Sequence, residues 1–418
     1  MARGETTPRV AASHRGGAGQ GGAHGAADGP AATRGRYEGW RGMLNPLWCY
    51  HGFRMAVAVL TVIGLVMVYS SSAATTAASG GDPTTDLLEQ GLFCVGGLAL
   101  GLICAMLPLS IYRRIGFVLV LASMFLQTLT FTALGRSKNG NSGWIFVAGH
   151  SFQPAEAMKL ALCIWLPAAL LAAAARARKV GWPKAYALPL AMFVACLLLV
   201  LGGKDLGTAI IIIFIGGAAF LIGGFPGKWL GLGAIVMGAA VTGLIMASPS
   251  RRNRILATYV GCSGDDAQGI CFQATHARYA MASGGFLGLG LGNSREKWSY
   301  LPEAHNDFIF AIIGEELGFL GCAAVILLFV VIGWCLIRVA LAIADRYASM
   351  VLMTLDVWIV GQALVNIGVV VGVFPVFGVP MPFVSAGGSS LVMCLAGAGV
   401  AIGMMRRQPE IKADSSRE

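Results

Sequence analysis

A chain of 418 residues that is 56% hydrophobic and only 12% charged, with a mean hydropathy of +0.72, carries more apolar surface than one water-soluble core can hide. The balance of 30 Lys and Arg against 20 Asp and Glu, net +10, would suit nucleic acid if the basic residues clustered on a polar domain, but they punctuate apolar runs instead. That is the pattern membrane topology and anionic headgroups produce, so composition excludes a soluble domain and a nucleic-acid partner and points to an all-α, polytopic transmembrane helix bundle among membrane lipids.

Residues 1–50 are rich in Gly, Ala, Arg and Ser and bury too little surface to offset chain entropy, which reads as a disordered basic cytoplasmic tail. No signal-peptide pattern precedes the first apolar run, so that run is expected to remain as an anchor. Runs near the roughly 20 residues a hydrocarbon core demands define ten candidate spans at 53–73, 90–108, 114–134, 156–175, 184–202, 207–224, 228–247, 307–334, 348–372 and 384–404. The transmembrane domain is thus expected over 51–405, with a large extracytoplasmic loop, 248–305, between spans 7 and 8 and a cytoplasmic tail at 406–418.

Alternate gaps carry Arg113 and Arg114, then Arg176, Arg178, Lys179 and Lys184, then Lys228, then Arg338 and Arg346, and finally Arg406 and Arg407. These gaps should face the cytoplasm, with both termini inside. The acidic gap at 74–89 fits the outer face. The loop 248–305 is basic although topology places it outside. Arg251, Arg252, Arg254, Arg278, Arg295 and Lys297 are therefore either a solvated surface or an anion site. Its cysteines, Cys262 and Cys271, are disulfide candidates if the loop faces an oxidising compartment. The cysteines inside apolar runs read as packing residues. Within the same loop, the glycine-rich run 283–294 lacks the preceding strand of a nucleotide loop. It suits instead close approach of backbone N–H groups to a phosphate or sugar.

Ionisable groups at membrane depth are functional candidates by default, and four groups of residues stand out. Residues 301–318 bring Glu303, His305 and Asp307 to the entrance of span 8. Glu315 and Glu316 follow about 12 Å deeper at 1.5 Å per residue. The plainer reading of Asp307 is a helix N-cap; that of Glu315 and Glu316 is a packing hydrogen bond or salt bridge. A second group joins the polar run from Arg136 to Trp144, the latter an interfacial anchor on its plainest reading, to Glu156 and Lys159, which share a helix face. Lys204 and Asp205 form a third. Asn366 and the Pro- and Gly-rich run 375–390 form the fourth, a broken backbone expected to line a cavity or re-enter the membrane.

These groups, in this order, resemble the SEDS family of shape, elongation, division and sporulation proteins (FtsW, RodA, SpoVE). The resemblance spans most of 53–405, and Leu301–Gly318 and Pro382–Ser390 are its most specific pieces. The wording of Leu301–Gly318 is closer to the division branch than to the elongation branch. The chain departs from the family at Ser142-Gly143 before the Trp, at Ala155, at Lys204 before the Asp, and at Ala386; Arg136 or Lys138 are candidates to replace an arginine expected beside Trp144.

The resemblance implies a peptidoglycan glycosyltransferase of the inner membrane. It would polymerise lipid II, an undecaprenyl-diphosphate-linked disaccharide peptide, at the division septum with a class B penicillin-binding protein and other divisome membrane proteins. It implies Asp307 as the catalytic base of an inverting transfer. Candidate substrate contacts are Trp144, Glu156, Lys159, Lys204, Asp205, Arg254, Arg278, Lys297, Glu303, His305, Ser385 and Ser389. Glu315, Glu316, Asn366, Pro382, Gly387 and Gly388 are expected to be structural. The resemblance implies no definite cofactor. A divalent cation, Mg or Mn, suits diphosphate chemistry, but no dedicated ligand cluster is evident. The competing readings are a lipid II flippase, an elongation-type polymerase and a non-catalytic scaffold.

Overall fold

The computed structural model describes residues 45–78, 80–138, 141–147, 149–246, 252–253, 255, 258–259, 271–298 and 300–415. Most of the expected tail, residues 1–44, lies outside the described residues. The first helix, α1 (Pro46–Ala78), already begins at Pro46, where proline's fixed φ suits a helical first turn. It is followed by α2 (Pro83–Met106), capped by Asp82 through the Thr84 N–H, and α3 (Leu109–Leu129). After a small sheet come α4 (Pro154–Val180), α5 (Trp182–Gly202), α6 (Leu206–Ile222) and α7 (Gly227–Met246). The chain ends with α8 (Phe272–Ser283), α9 (Ile309–Ala342), α10 (Arg346–Val370), α11 (Gly388–Met405) and the short α12 (Pro409–Ser415).

Among the described residues nine helices are long and apolar enough to cross a membrane. The expected sixth span is α6, whose 17 residues stand at the lower limit for crossing hydrocarbon. Helix α1 packs on α9, α2 on α11, and α4 on α3, α5 and α10. Helix α7 buries none of its residues. Such an all-round apolar helix is stable only with lipid as its solvent.

Two features depart from the expected succession of spans. The polar stretch before α4 folds into a three-stranded antiparallel sheet of β1 (Gly135–Lys138), β2 (Asn141–Val147) and β3 (His150–Phe152), with Arg136 opposite Trp144 and Phe146 opposite Ser151. The second departure is a break in α9 at Gly318, whose φ of 67° suits glycine alone. The glycine-rich run of the long loop plugs that break. Leu289 N donates to Glu315 O at 2.9 Å, Gly290 N to Glu316 O at 3.0 Å, Phe319 N to Gly285 O at 2.9 Å and Leu320 N to Phe286 O at 3.3 Å. Irregular backbone at membrane depth survives only with such protein partners. The glycines expected to approach a phosphate thus approach another stretch of backbone.

The stretch between α10 and α11 is non-helical, as expected of residues 375–390, and it is tied down on both sides. Gln362 Nε2 donates to Pro380 O at 2.8 Å and Asn366 Nδ2 to Val379 O at 2.7 Å. Ser385 Oγ accepts from Met381 N and donates to Asn306 O, both at 2.7 Å.

Candidate functional site

One end of the bundle gathers the sheet, the start of α6, the run 301–308 and the segment 371–387. Ser142 N donates to Gly203 O at 2.9 Å and Ala386 N to His305 O at 2.9 Å. Gly207 lies so close to the segment that an added Cβ would sit 2.5 Å from Phe377 O.

Asp307 sits where these pieces meet, half-buried. It is not the N-cap of α9, which is Phe308 without a side-chain cap bond, so capping does not account for it. Its carbonyl accepts from Asn366 Nδ2 at 2.8 Å. Gly378 (φ +71°) lies against its carboxylate, where an added Cβ would stand 3.4 Å from Oδ2. Just upstream, Glu303 adopts a positive φ of 56° and its Oε2 accepts from Asn306 Nδ2 at 3.2 Å. His305 is half-buried beside it. The chain therefore presents the Asp307 and Glu303 carboxylates on a turn whose backbone is held from α10 and from 385–386.

Several expected substrate contacts are instead committed to the protein. Lys159 and Glu156 are each 1% exposed and pair at 2.8 Å; Lys159 Nζ also donates to Gln362 Oε1 at 2.7 Å and lies over the Trp358 ring. Lys297, 4% exposed, pairs with Glu316 at 3.0 Å and donates to Gly292 O at 2.7 Å. Neither ammonium is therefore available to a diphosphate in this structure, because each would leave a buried carboxylate uncompensated. Asp205 is the N-cap of α6: Thr208 N donates to Oδ1 at 3.0 Å, while Thr208 Oγ1 and Gln153 Nε2 each donate to Oδ2 at 2.8 Å. Ser385 and Ser389 are buried; Ser389 Oγ accepts from Gln153 N at 3.3 Å. All six side chains are bonded within the protein in this arrangement.

The residues expected to be structural are packed or bonded within the protein. Ser294 Oγ donates to Glu315 Oε2 at 2.5 Å, and Ser70 Oγ lies 2.7–2.8 Å from both Glu316 oxygens. Pro382 is buried, Gly387 is the N-cap of α11, and Gly388 meets the Phe93 ring.

Arg278 and Lys204 remain exposed, with Trp144 half-buried on β2. Arg278 Nη2 donates to Thr258 O at 3.3 Å, and its guanidinium packs against Gly372 at the start of the non-helical segment. Arg251, Arg254 and Cys262 lie outside the described residues, while Cys271 is a disulfide cysteine. Among the described residues no three His, Cys, Asp or Glu side chains are arranged to hold a metal ion. A cleft of about 420 Å³ between α1 and residues 291–298 is lined by Val66, Tyr69, Ser70, Leu291, Lys297 and Trp298. Asp307 does not line it.

Gln362, Trp358 and Asn306 were not anticipated. The signal for the first two was present: Trp358, Gln362 and Asn366 recur every four residues, a polar stripe on one face of an otherwise apolar span.

Residues 51–409 match the family described as Cell cycle protein (FtsW, RodA, SpoVE). The chain belongs to this family. It is 34% identical over 388 residues to a probable peptidoglycan glycosyltransferase FtsW of Mycobacterium tuberculosis, covering 92% of this chain and 72% of that one. It is 35% identical to stage V sporulation protein E of Bacillus subtilis, covering 83% and 94%. Among solved structures, RodA of Thermus thermophilus aligns with a TM-score of 0.62 at 26% identity over 87% of this chain and 97% of that one. A peptidoglycan synthase complex described as coordinating polymerization and crosslinking aligns with a TM-score of 0.68 at 26% identity over 86% and 98%. The FtsW/RodA/SpoVE family is thus matched in sequence over nearly the whole membrane domain and in fold.

Proposed function

We infer that this chain is a peptidoglycan glycosyltransferase that polymerises lipid II into glycan strands, with Asp307 as the base for the acceptor sugar hydroxyl. The single observation that carries the base assignment is the half-exposed Asp307 carboxylate, on a turn held by Asn366, beside Gly378 at the converging end of the bundle. A diphosphate is its own leaving group, so the protein needs only a base and cations for the developing charge. With Lys159 and Lys297 tied into ion pairs, the cation falls to Arg278 and its loop neighbours. Transfer inverts the donor sugar in one displacement, with no covalent sugar intermediate.

The end carrying Arg113, Arg178, Arg346 and Arg406 faces the cytoplasm, following the positive-inside rule, and the Asp307 end faces outward, an oxidising side that suits the disulfide of Cys271. The names of the similar sequences favour division over elongation, hence the septum, with a class B penicillin-binding protein as partner. Purified protein with that partner and lipid II should yield glycan strands. Movement of labelled lipid between leaflets without chain growth would overturn the reading in favour of a flippase.

A further inference from the structure

We propose that Gln362 and Asn366 are positioning residues, a pair of carboxamide clamps on α10 that hold Asp307 and the non-helical segment behind it in reacting register. The inference rests on the reading of Asp307 as the base. The two residues are four apart on one face of α10, about 6 Å along its axis, and are 0% and 1% exposed. Between them they bind three main-chain carbonyls. Gln362 Nε2 donates to Pro380 O at 2.8 Å, and Asn366 Nδ2 donates to Val379 O at 2.7 Å and to Asp307 O at 2.8 Å. The Asn366 amide thereby ties the turn bearing Asp307 to the segment whose Gly378 lies against the Asp307 carboxylate.

The direction of the lower clamp is set by its other partners. Gln362 Oε1 accepts from Lys159 Nζ at 2.7 Å and from Trp358 Nε1 at 3.0 Å. Two donors on the oxygen leave the amide nitrogen no orientation except toward Pro380 O. Lys159 is itself fixed by Glu156 at 2.8 Å. The buried ion pair thus acts on the site through Gln362, without touching substrate. A catalytic group must be held to a fraction of an ångström by its supporting shell, and an error of ~1 Å costs about a hundredfold in rate.

The test uses the full-length chain with its penicillin-binding partner, measuring kcat, KM for lipid II and the thermal midpoint. Gln362→Glu keeps the oxygen that accepts from Lys159 and Trp358 but puts an acceptor-only oxygen against Pro380 O and a charge beside the Lys159–Glu156 pair; Gln362→Met and Asn366→Leu remove the clamps at similar volume. Each should lower kcat by about ten- to a hundredfold, with KM within about twofold and the fold intact. A clamp variant with parental kcat, beside an inactive Asp307→Asn, overturns the clamps and leaves the base standing. So does a loss that appears only in step with a fall in thermal midpoint, since that is fold damage and not positioning. An active Asp307→Asn removes the base reading, and the clamps fall with it.

Discussion

Two sets of ionisable residues, one on the turn before α9 and one in its first turns, differ in how deeply the protein encloses them. At the deeper one, Lys297 spends its three N–H groups on Gly292 O, Glu316 Oε1 and Ser70 Oγ, at 2.7, 3.0 and 3.3 Å. Glu315 there takes Ser294 Oγ and Arg295 N. Every charge is hydrogen-bonded by the protein and nearly dry, and what the cluster holds is the glycine-rich plug in the broken helix. At the shallower one, Asn366 grips the Asp307 main chain and Asp307 itself is half-buried. The deeper charges are thus sealed inside the protein, whereas Asp307 stays within reach of solvent on a turn fixed through its backbone.

Asp307→Asn is the hardest blow to this contrast. It should lower glycan synthesis by about 10²- to 10⁴-fold, the usual contribution of a general base, without loss of insertion or thermal stability. A polymerisation assay beside a melting curve decides it, and near-parental synthesis would reduce Asp307 to a structural turn residue. Lys297→Met should behave in the opposite way, because it strands Glu316 in a dry site. Removing one partner of a buried pair costs roughly 3–5 kcal/mol. Replacing both, Lys297→Met with Glu316→Met, should restore most of that stability. A single variant as stable as the parent would mean the plug does not depend on the pair.

How far the sequence alone reached depends on the range of the interaction involved. The spans were legible because hydrophobicity is local. Asp307, Glu315 and Glu316 stood out as charges at the edge of an apolar run. The break at Gly318 left no trace, since the apolar run resumes at Phe319 directly after it and the repairing bonds come from 285–290. The sheet at 135–152 was missed because its strands have only 4, 7 and 3 residues, too short for alternation to register. Lys159 and Lys297 were read as cations for a ligand. Glu156 was visible three residues from Lys159, but Gln362, 203 positions away, is not a partner that spacing can supply. Lys297 was likewise separated from Glu316 by a fold, not by a turn of helix.

Arg278 offers the finest test of the contrast, because it is a charge that the protein leaves exposed beside the segment holding Asp307. Its Nη2 donates to a backbone carbonyl, Thr258 O, at 3.3 Å, and among the described residues no carboxylate pairs with it. Arg278→Gln should accordingly change stability by no more than about 0.5 kcal/mol, as surface substitutions do. If the guanidinium meets the diphosphate, the lost charge-assisted contact is worth about 1.5–3 kcal/mol, roughly ten- to a hundredfold in kcat/KM. Arg278→Lys should recover part of this, and less of it the more the contact depends on the planar fork of the guanidinium. Raising the salt concentration should weaken the parent more than the Gln variant, since an exposed cation is screened. Parental kcat/KM in Arg278→Gln, at low and high salt alike, would return Arg278 to ordinary solvated surface and shift the search to Arg252, Arg295 or the partner protein.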